Sequence, residues 1–215
     1  MADQLSGLDL HIMELVCSRL CHDLISPVGA VSNGLELMAE EADDDLLADA
    51  RRLVEASCQR ASALLQLHRC AYGHAGNQPA FGPAEAVKLA SEVMDAARVQ
   101  LDAGGVSGGE WPAGFGKLLL NGILVALEWL PRSGKLVLSA NGDGTAGFEI
   151  AVEGGQVTVN PHCARFLQCD RSGAEVTVHN IQPYFTGLVA KAHGFHLEMS
   201  QPAAGKAFLK AKRAA

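Results

Sequence analysis

With 215 residues, 48% of them hydrophobic and 19% charged, the chain has the composition of a folded globular protein of one large or two small domains. Its formal charge of −7 comes from 17 basic and 24 acidic side chains, and the whole excess falls before residue 76, where five arginines face twelve carboxylates. An acidic segment of that kind repels phosphate backbones, which argues against nucleic-acid binding, and no apolar run reaches the roughly eighteen residues of a membrane span.

The opening MADQLSGLDL has no basic n-region and no apolar h-region, so no secretory signal is expected and the chain reads as cytoplasmic. Six cysteines, at 17, 21, 58, 70, 163 and 169, form no obvious disulfide framework and read as reduced, buried thiols. From Ser6 to about Glu41 the pattern is helical, with Ser6 and Asp9 spaced as a capping box. Leu10, Met13, Cys17, Leu20, Leu24, Val28, Val31, Leu35 and Met38 recur at steps of three or four, an apolar seam that wants another helix.

Asp43 or Asp44 then caps a second helix running to about Tyr72. Its stripe is Leu46, Ala50, Leu53 or Val54, Ser57, Ala61, Leu64, His68 and Ala71. Two such helices joined by a short turn make an antiparallel hairpin that cannot cover both stripes alone. Pairing with a second copy gives a four-helix bundle, so a homodimer is expected.

The stretch GHAGNQPAFGP, residues 73–83, reads as a linker. Beyond it AEAVKLASEVMDA is helical, RVQLDA is a candidate strand, and KLLLNGILVALEWL is a buried helix stopped by Pro131. KLVLSA, GFEIAVEG and QVTVNP are β-like, with NGDG at 141–144 as a hairpin turn. IQPYFTGLVAKAHG is helical, and FHLEMSQ with KAFLKAKR closes the chain as a hairpin. The fold class is therefore α+β, with a helical hairpin domain at 1–74 and an α/β sandwich at 75–215.

One titratable residue stands apart from the packing pattern. At about 100° per residue, His22 lies about 200° from Leu20 and points away from the seam. Pro27 denies the carbonyl of Asp23 its helical hydrogen bond, so a bend is expected just after His22, and Ser26 and Gly29 leave the imidazole accessible. Asp23 can hydrogen-bond one ring nitrogen and leave the other as a nucleophile, and such an imidazole can hold a phosphoryl group covalently. Arg19, three residues earlier, lies where it can help balance phosphoryl charge.

HDLISPVGAV resembles the H-box of two-component histidine kinases, in which an acidic residue follows the phosphoaccepting histidine and proline stands five positions on. The whole chain, through LCHDLISPVGAVSNGLEL, LPRSGKLVLSA and IQPYF, resembles the ChpT histidine phosphotransferase family. The resemblance implies a dimeric hairpin followed by a degenerate kinase ATPase-like domain. It implies that His22 accepts phosphoryl from the receiver domain of a CckA-like hybrid kinase and passes it to CtrA-like and CpdR-like response regulators. No cofactor is expected on this chain; Mg²⁺ belongs to the partner receiver. Asp23 would tune His22, while Arg19, Ser26 and Gly29 would meet the partner.

The kinase boxes corroborate the degeneracy. Laid on the N-L-L-x-N-A box, NGILVA keeps Asn121 but puts Val125, which cannot ligate a hard cation, at the second asparagine. The best match to D-x-G-x-G, EGGQV, has Glu153 for Asp and Val157 for the last glycine, and no G-x-G lid precedes IQPYF. An ATP-dependent kinase and a receiver-binding scaffold are the rival readings. No metal site is expected: Cys17 belongs to the seam, and HCARFLQC, with His162, Cys163 and Cys169, fits no common zinc spacing. His68 reads as a bundle or near-surface residue, and Trp111 and Trp129 as core anchors.

Overall fold

Helices α1 (Gly7–Ala39) and α2 (Asp44–Ala71) occupy the two stretches of helical periodicity. The computed structural model describes residues 7–39, 43–94, 99–106, 108–131, 133–141, 147–172 and 174–214. The predicted cap at Ser6 lies outside them. Asp43 caps α2, its Oδ1 accepting the Leu46 N–H at 2.8 Å, and Asp44 and Asp45 complement the positive end of the helix dipole. The chain divides into Met1–His68 and Arg69–Ala215, a boundary inside α2 rather than after it.

Within the first unit the inner surface of the hairpin is formed by Ile12, Pro27 and Gly34 of α1 and by Ala50, Ser57, Leu64, Leu67 and His68 of α2, all buried. At Gly34 a Cβ would lie 2.6 Å from Val54 Cγ2 and 3.3 Å from the Ala50 carbonyl oxygen, so only glycine permits this approach. The apolar seam read from the sequence is a different face. Leu10, Met13, Val28 and Leu35 of α1 are exposed, as are Leu46, Leu53 and Leu65 of α2. Cys17 and Cys21 share that outward side, which corrects the reading of buried thiols; Cys58 is exposed too, whereas Cys70 and Cys163 are buried.

The second unit is a two-layer sandwich of α3 (Pro83–Met94), β1 (Val99–Val106), α4 (Phe115–Glu128), β2 (Gly134–Asn141), β3 (Gly147–Glu153), α5 (Cys163–Leu167), α6 (Ile181–Ala192), β4 (Phe195–Ala203) and β5 (Lys206–Arg213). The sheet order is β1-β2-β3-β5-β4. β1 runs parallel to β2, and the other pairs are antiparallel. The strands flanking the predicted NGDG turn pair Asn141 with Gly147, and the turn itself lies outside the described residues. Alternation places Leu136, Leu138, Phe148, Ile150, Val152, Leu209 and Ala211 on the buried face. Against them lies α4, with Leu118, Leu119, Leu120, Ile123, Val125 and Ala126 all buried, as expected of an apolar helix in a core. Gly122 lets it sit close to β3, since a Cβ there would meet the Phe148 ring at 2.8 Å.

Three expectations are corrected here. The glycine-rich stretch after Tyr72 is packed rather than loose: His74–Asn77 form a 3-10 turn, and a Cβ on Gly76 would come within 2.1 Å of the Cys70 carbonyl oxygen. QVTVNP makes no strand, because the Thr158 N–H is donated to the Trp129 carbonyl, 3.0 Å away, instead of to a ladder. Trp129 is a buried core anchor, but Trp111 is half-buried and stacks on Phe115 at 4.6 Å between ring centroids.

Candidate functional site

Around α1 three faces can be told apart. Ile12, Asp23, Pro27 and Gly34 fall within about 60° of one another and face α2; the exposed seam is centred about 100° further round; His22 lies on neither. Its side chain is 74% exposed. α1 runs unbroken through Pro27, which is itself buried, so the proline acts on this region through the backbone hydrogen bond it withholds from Asp23 rather than by touching the imidazole.

Asp23 joins the exposed histidine to the interior. Its Oδ1 lies 3.2 Å from Nδ1 of His22, and its Oδ2 lies 3.2 Å from Nε of Arg19 and 3.5 Å from Nε2 of His68. A carboxylate only accepts, so in the His22 contact Nδ1 carries the proton and Nε2 presents a lone pair to solvent. This is the arrangement of an oriented nucleophile: base nitrogen outward, the other nitrogen held by a carboxylate that is itself held.

The remaining expected site residues are distributed over two environments. Ser26 and Gly29 are exposed beside His22, and a Cβ at Gly29 would meet nothing within 4 Å. Arg19, expected on the open surface, is only 23% exposed and turned toward Asp23, because its guanidinium finds the carboxylate one helical turn on. Two participants went unassigned in the sequence. Ile25, 70% exposed one turn beyond His22, adds an apolar side chain to the open face. His68, only 3% exposed, closes Asp23 from the α2 side; its place on the inner stripe near the far end of an antiparallel hairpin was the available signal. Burial depresses the His68 pKa and the Arg19 charge adds to this, while Asp23 opposes it.

In the second unit, α4, on which the sequence reading laid the kinase asparagine box, has its asparagine bonded internally. Asn121 donates from Nδ2 to the carbonyls of Ala71 (3.0 Å) and Lys117 (2.9 Å) and accepts from Gln182 Nε2 (3.0 Å). Gln182 in turn accepts the Tyr72 hydroxyl at 2.5 Å. Val125 is fully buried and Val157 nearly so. Glu153 pairs with Lys206 at 2.7 Å, and that contact holds its carboxyl below the usual range. Lys117 donates to the Gly73 carbonyl at 2.9 Å, with its pKa lowered by burial. Burial pushes the Cys163 thiol up to about 12. Among the described residues no group of three or more His, Cys, Asp or Glu side chains is gathered as a metal site would need.

Residues 83–205 match the family described as histidine phosphotransferase C-terminal domain. The chain is 36% identical over 209 residues to the protein phosphotransferase ChpT of Brucella abortus (strain 2308), with 91% of each chain covered. A solved structure of a bacterial phosphotransferase, at 1.7 Å, matches with a TM-score of 0.80 and 34% identity over 97% of this chain and 98% of that one.

Proposed function

From the premise that the chain belongs to the histidine phosphotransferase family, we propose that it relays phosphoryl groups between receiver domains through His22. The observation that carries this reading is the exposed imidazole whose Nδ1 is held by Asp23. The Nε2 lone pair attacks the phosphorus of an aspartyl phosphate on the donor receiver. As the N–P bond forms, the P–O bond to the aspartyl oxygen breaks and its electron pair leaves with the donor carboxylate. The ring, still protonated at Nδ1, becomes an imidazolium whose charge Asp23 offsets. The same steps in reverse place the phosphoryl on the aspartate of a second receiver, where an Mg²⁺ held by that receiver would offset the moving charge.

The donor in this reading is a hybrid kinase of the CckA type and the acceptors are regulators of the CtrA and CpdR types. Ile25, Ser26 and Gly29 form the open surface on which a receiver domain would seat. The exposed stripe of Leu10, Met13, Val28, Leu35, Leu46 and Leu53 supports a four-helix bundle made with a second copy, since an amphipathic hairpin needs an apolar partner.

The test is transfer from a phosphorylated receiver domain to the pure protein, with the label mapped. Acid-labile phosphate is expected on His22, and His22→Gln should remove transfer while leaving the fold intact, because an exposed side chain contributes about 0.5 kcal/mol or less to stability. Onward transfer by His22→Gln would make the protein a scaffold. Labelling from ATP alone, without any receiver, would make it a kinase.

A further inference from the structure

Among the described residues of the hairpin, one buried titratable side chain, His68, has no part in these transfer steps. We infer that His68 is a positioning residue for phosphoryl transfer: packed beneath Asp23, it fixes that carboxylate so that the outer oxygen holds His22 Nδ1 and Nε2 stays free for phosphorus. The inference rests on the phosphoacceptor reading of His22.

Asp23 has two oxygens and two kinds of neighbour. Oδ1 faces His22, and Oδ2 is shared by Arg19 and His68. Arg19 reaches it from the same helix, four residues away, so this contact does not tie Asp23 to α2. His68 comes from the other helix, and its ring is nearly inaccessible to solvent. A ring locked by packing has one orientation, and a carboxylate set against its edge inherits that orientation. The 3.5 Å separation makes this an oriented electrostatic contact rather than a short hydrogen bond.

The position also argues from its neighbours. Leu64 and Leu67 fill the adjoining buried sites of α2, and a leucine at 68 would complete the same apolar surface. An imidazole there gives up solvation, which packing alone does not require. The electrostatics fit the role. Burial lowers the pKa of His68, which keeps the ring neutral near pH 7 and leaves Arg19 as the full positive charge beside Asp23. The carboxylate then keeps negative charge for the imidazolium that forms on His22. Protonating His68 would place a second cation against it and weaken that support. Asp23 and Arg19 on α1 are charged groups that act on the ring.

The experiment compares His68→Leu and His68→Gln with wild type in three measurements: single-turnover transfer from a phosphorylated receiver domain, its dependence on receiver concentration, and the ¹⁵N spectrum of His22. His68→Leu is expected to lose about tenfold to a hundredfold in maximal rate, as outer partners of a functional histidine do, with half-saturation little changed. In the same variant His22 should shift from a predominantly Nδ1–H tautomer toward a mixture. His68→Gln, whose amide presents a polar N–H edge of similar reach toward Asp23, should recover most of both. Wild-type rate and tautomer in His68→Leu would overturn the inference. Equal loss in both variants with an unchanged His22 tautomer would also overturn it, reducing His68 to packing. If His68→Leu does not fold, the wild-type spectrum decides, because the His22 tautomer must change as His68 titrates. A wild type that carries no label defeats the phosphoacceptor reading, while the tautomer measurement still reports the coupling.

Discussion

In the sheet unit the large apolar side chains are inside: α4 is buried nearly all round, and the inner faces of β2, β3 and β5 are covered. In the hairpin unit eight large apolar side chains stand exposed, and among the described residues those eight are the complete set for the chain. One unit therefore closes its own core, whereas the other is shaped to be closed by something else. The two units also treat polar side chains differently. The sheet unit turns some inward upon one another, as Asn121, Gln182 and Thr186 do, and the hairpin keeps His22 outward, away from both the face that packs on α2 and the exposed apolar stripe.

The strongest way to sharpen this contrast is to damage the self-sufficient core. Leu118→Ala in α4 deletes a fully buried side chain and should cost the sheet unit about 2–5 kcal/mol. Thermal unfolding followed by tryptophan fluorescence, with Trp111 and Trp129 both in the sheet unit, should show the loss equally at low and high protein concentration. A loss that disappears at high concentration would mean that the sheet unit, too, depends on association.

The next effect belongs to the hairpin. Val28→Glu puts a charge into the exposed stripe and should weaken self-association about a hundredfold, or about 2.7 kcal/mol, with the sheet unit unmoved. Sedimentation equilibrium measures it directly. If the variant associates as wild type does, the stripe is not the dimer surface, and the contrast between the units needs another occupant for that face.

How much of this was readable follows from what periodicity encodes. Helical spacing and the Asp43 cap define the hairpin, and helix geometry alone sets His22 away from the seam, because both are local properties of consecutive residues. Which stripe faces α2 was not readable. Spacing marks a face as apolar without saying what covers it, so Cys17 and Cys21 were read as buried when they lie exposed on the outward side. The His68 contact with Asp23 escaped for a related reason: it joins residues far apart in sequence, and hairpin register, not composition, brings them together. QVTVNP failed in the opposite sense. Its alternation satisfies a strand's side-chain pattern, but a strand also needs a neighbour for its backbone, and Thr158 gives its N–H to Trp129. Asn121 was legible only as a polar residue in an apolar helix, whereas its capture by Ala71, Lys117 and Gln182 needs the fold.

The smallest effect is a pH dependence that the two units share in sign and differ in source. His68 in the hairpin and His193 in the sheet unit both have depressed pKa values, chiefly from burial, with Arg19 and Lys117 respectively pushing the same way. In the unfolded chain an imidazole takes up its proton near pH 6.5. The folded groups resist protonation until lower pH, so the unfolded state binds the extra proton first and stability falls as pH drops. It is complete above about pH 6.5 and is lost toward the lower folded values. His68→Leu removes only the hairpin's share, so the difference in unfolding temperature between variant and wild type should change in the variant's favour from pH 7.5 to pH 5. Asp23 and Arg19, which face the ring in the folded state, remain in both proteins and largely cancel in the comparison. Parallel curves across that range would mean that His68 is as easily protonated folded as unfolded. The neutral ring on which its hold of Asp23 depends would then be absent.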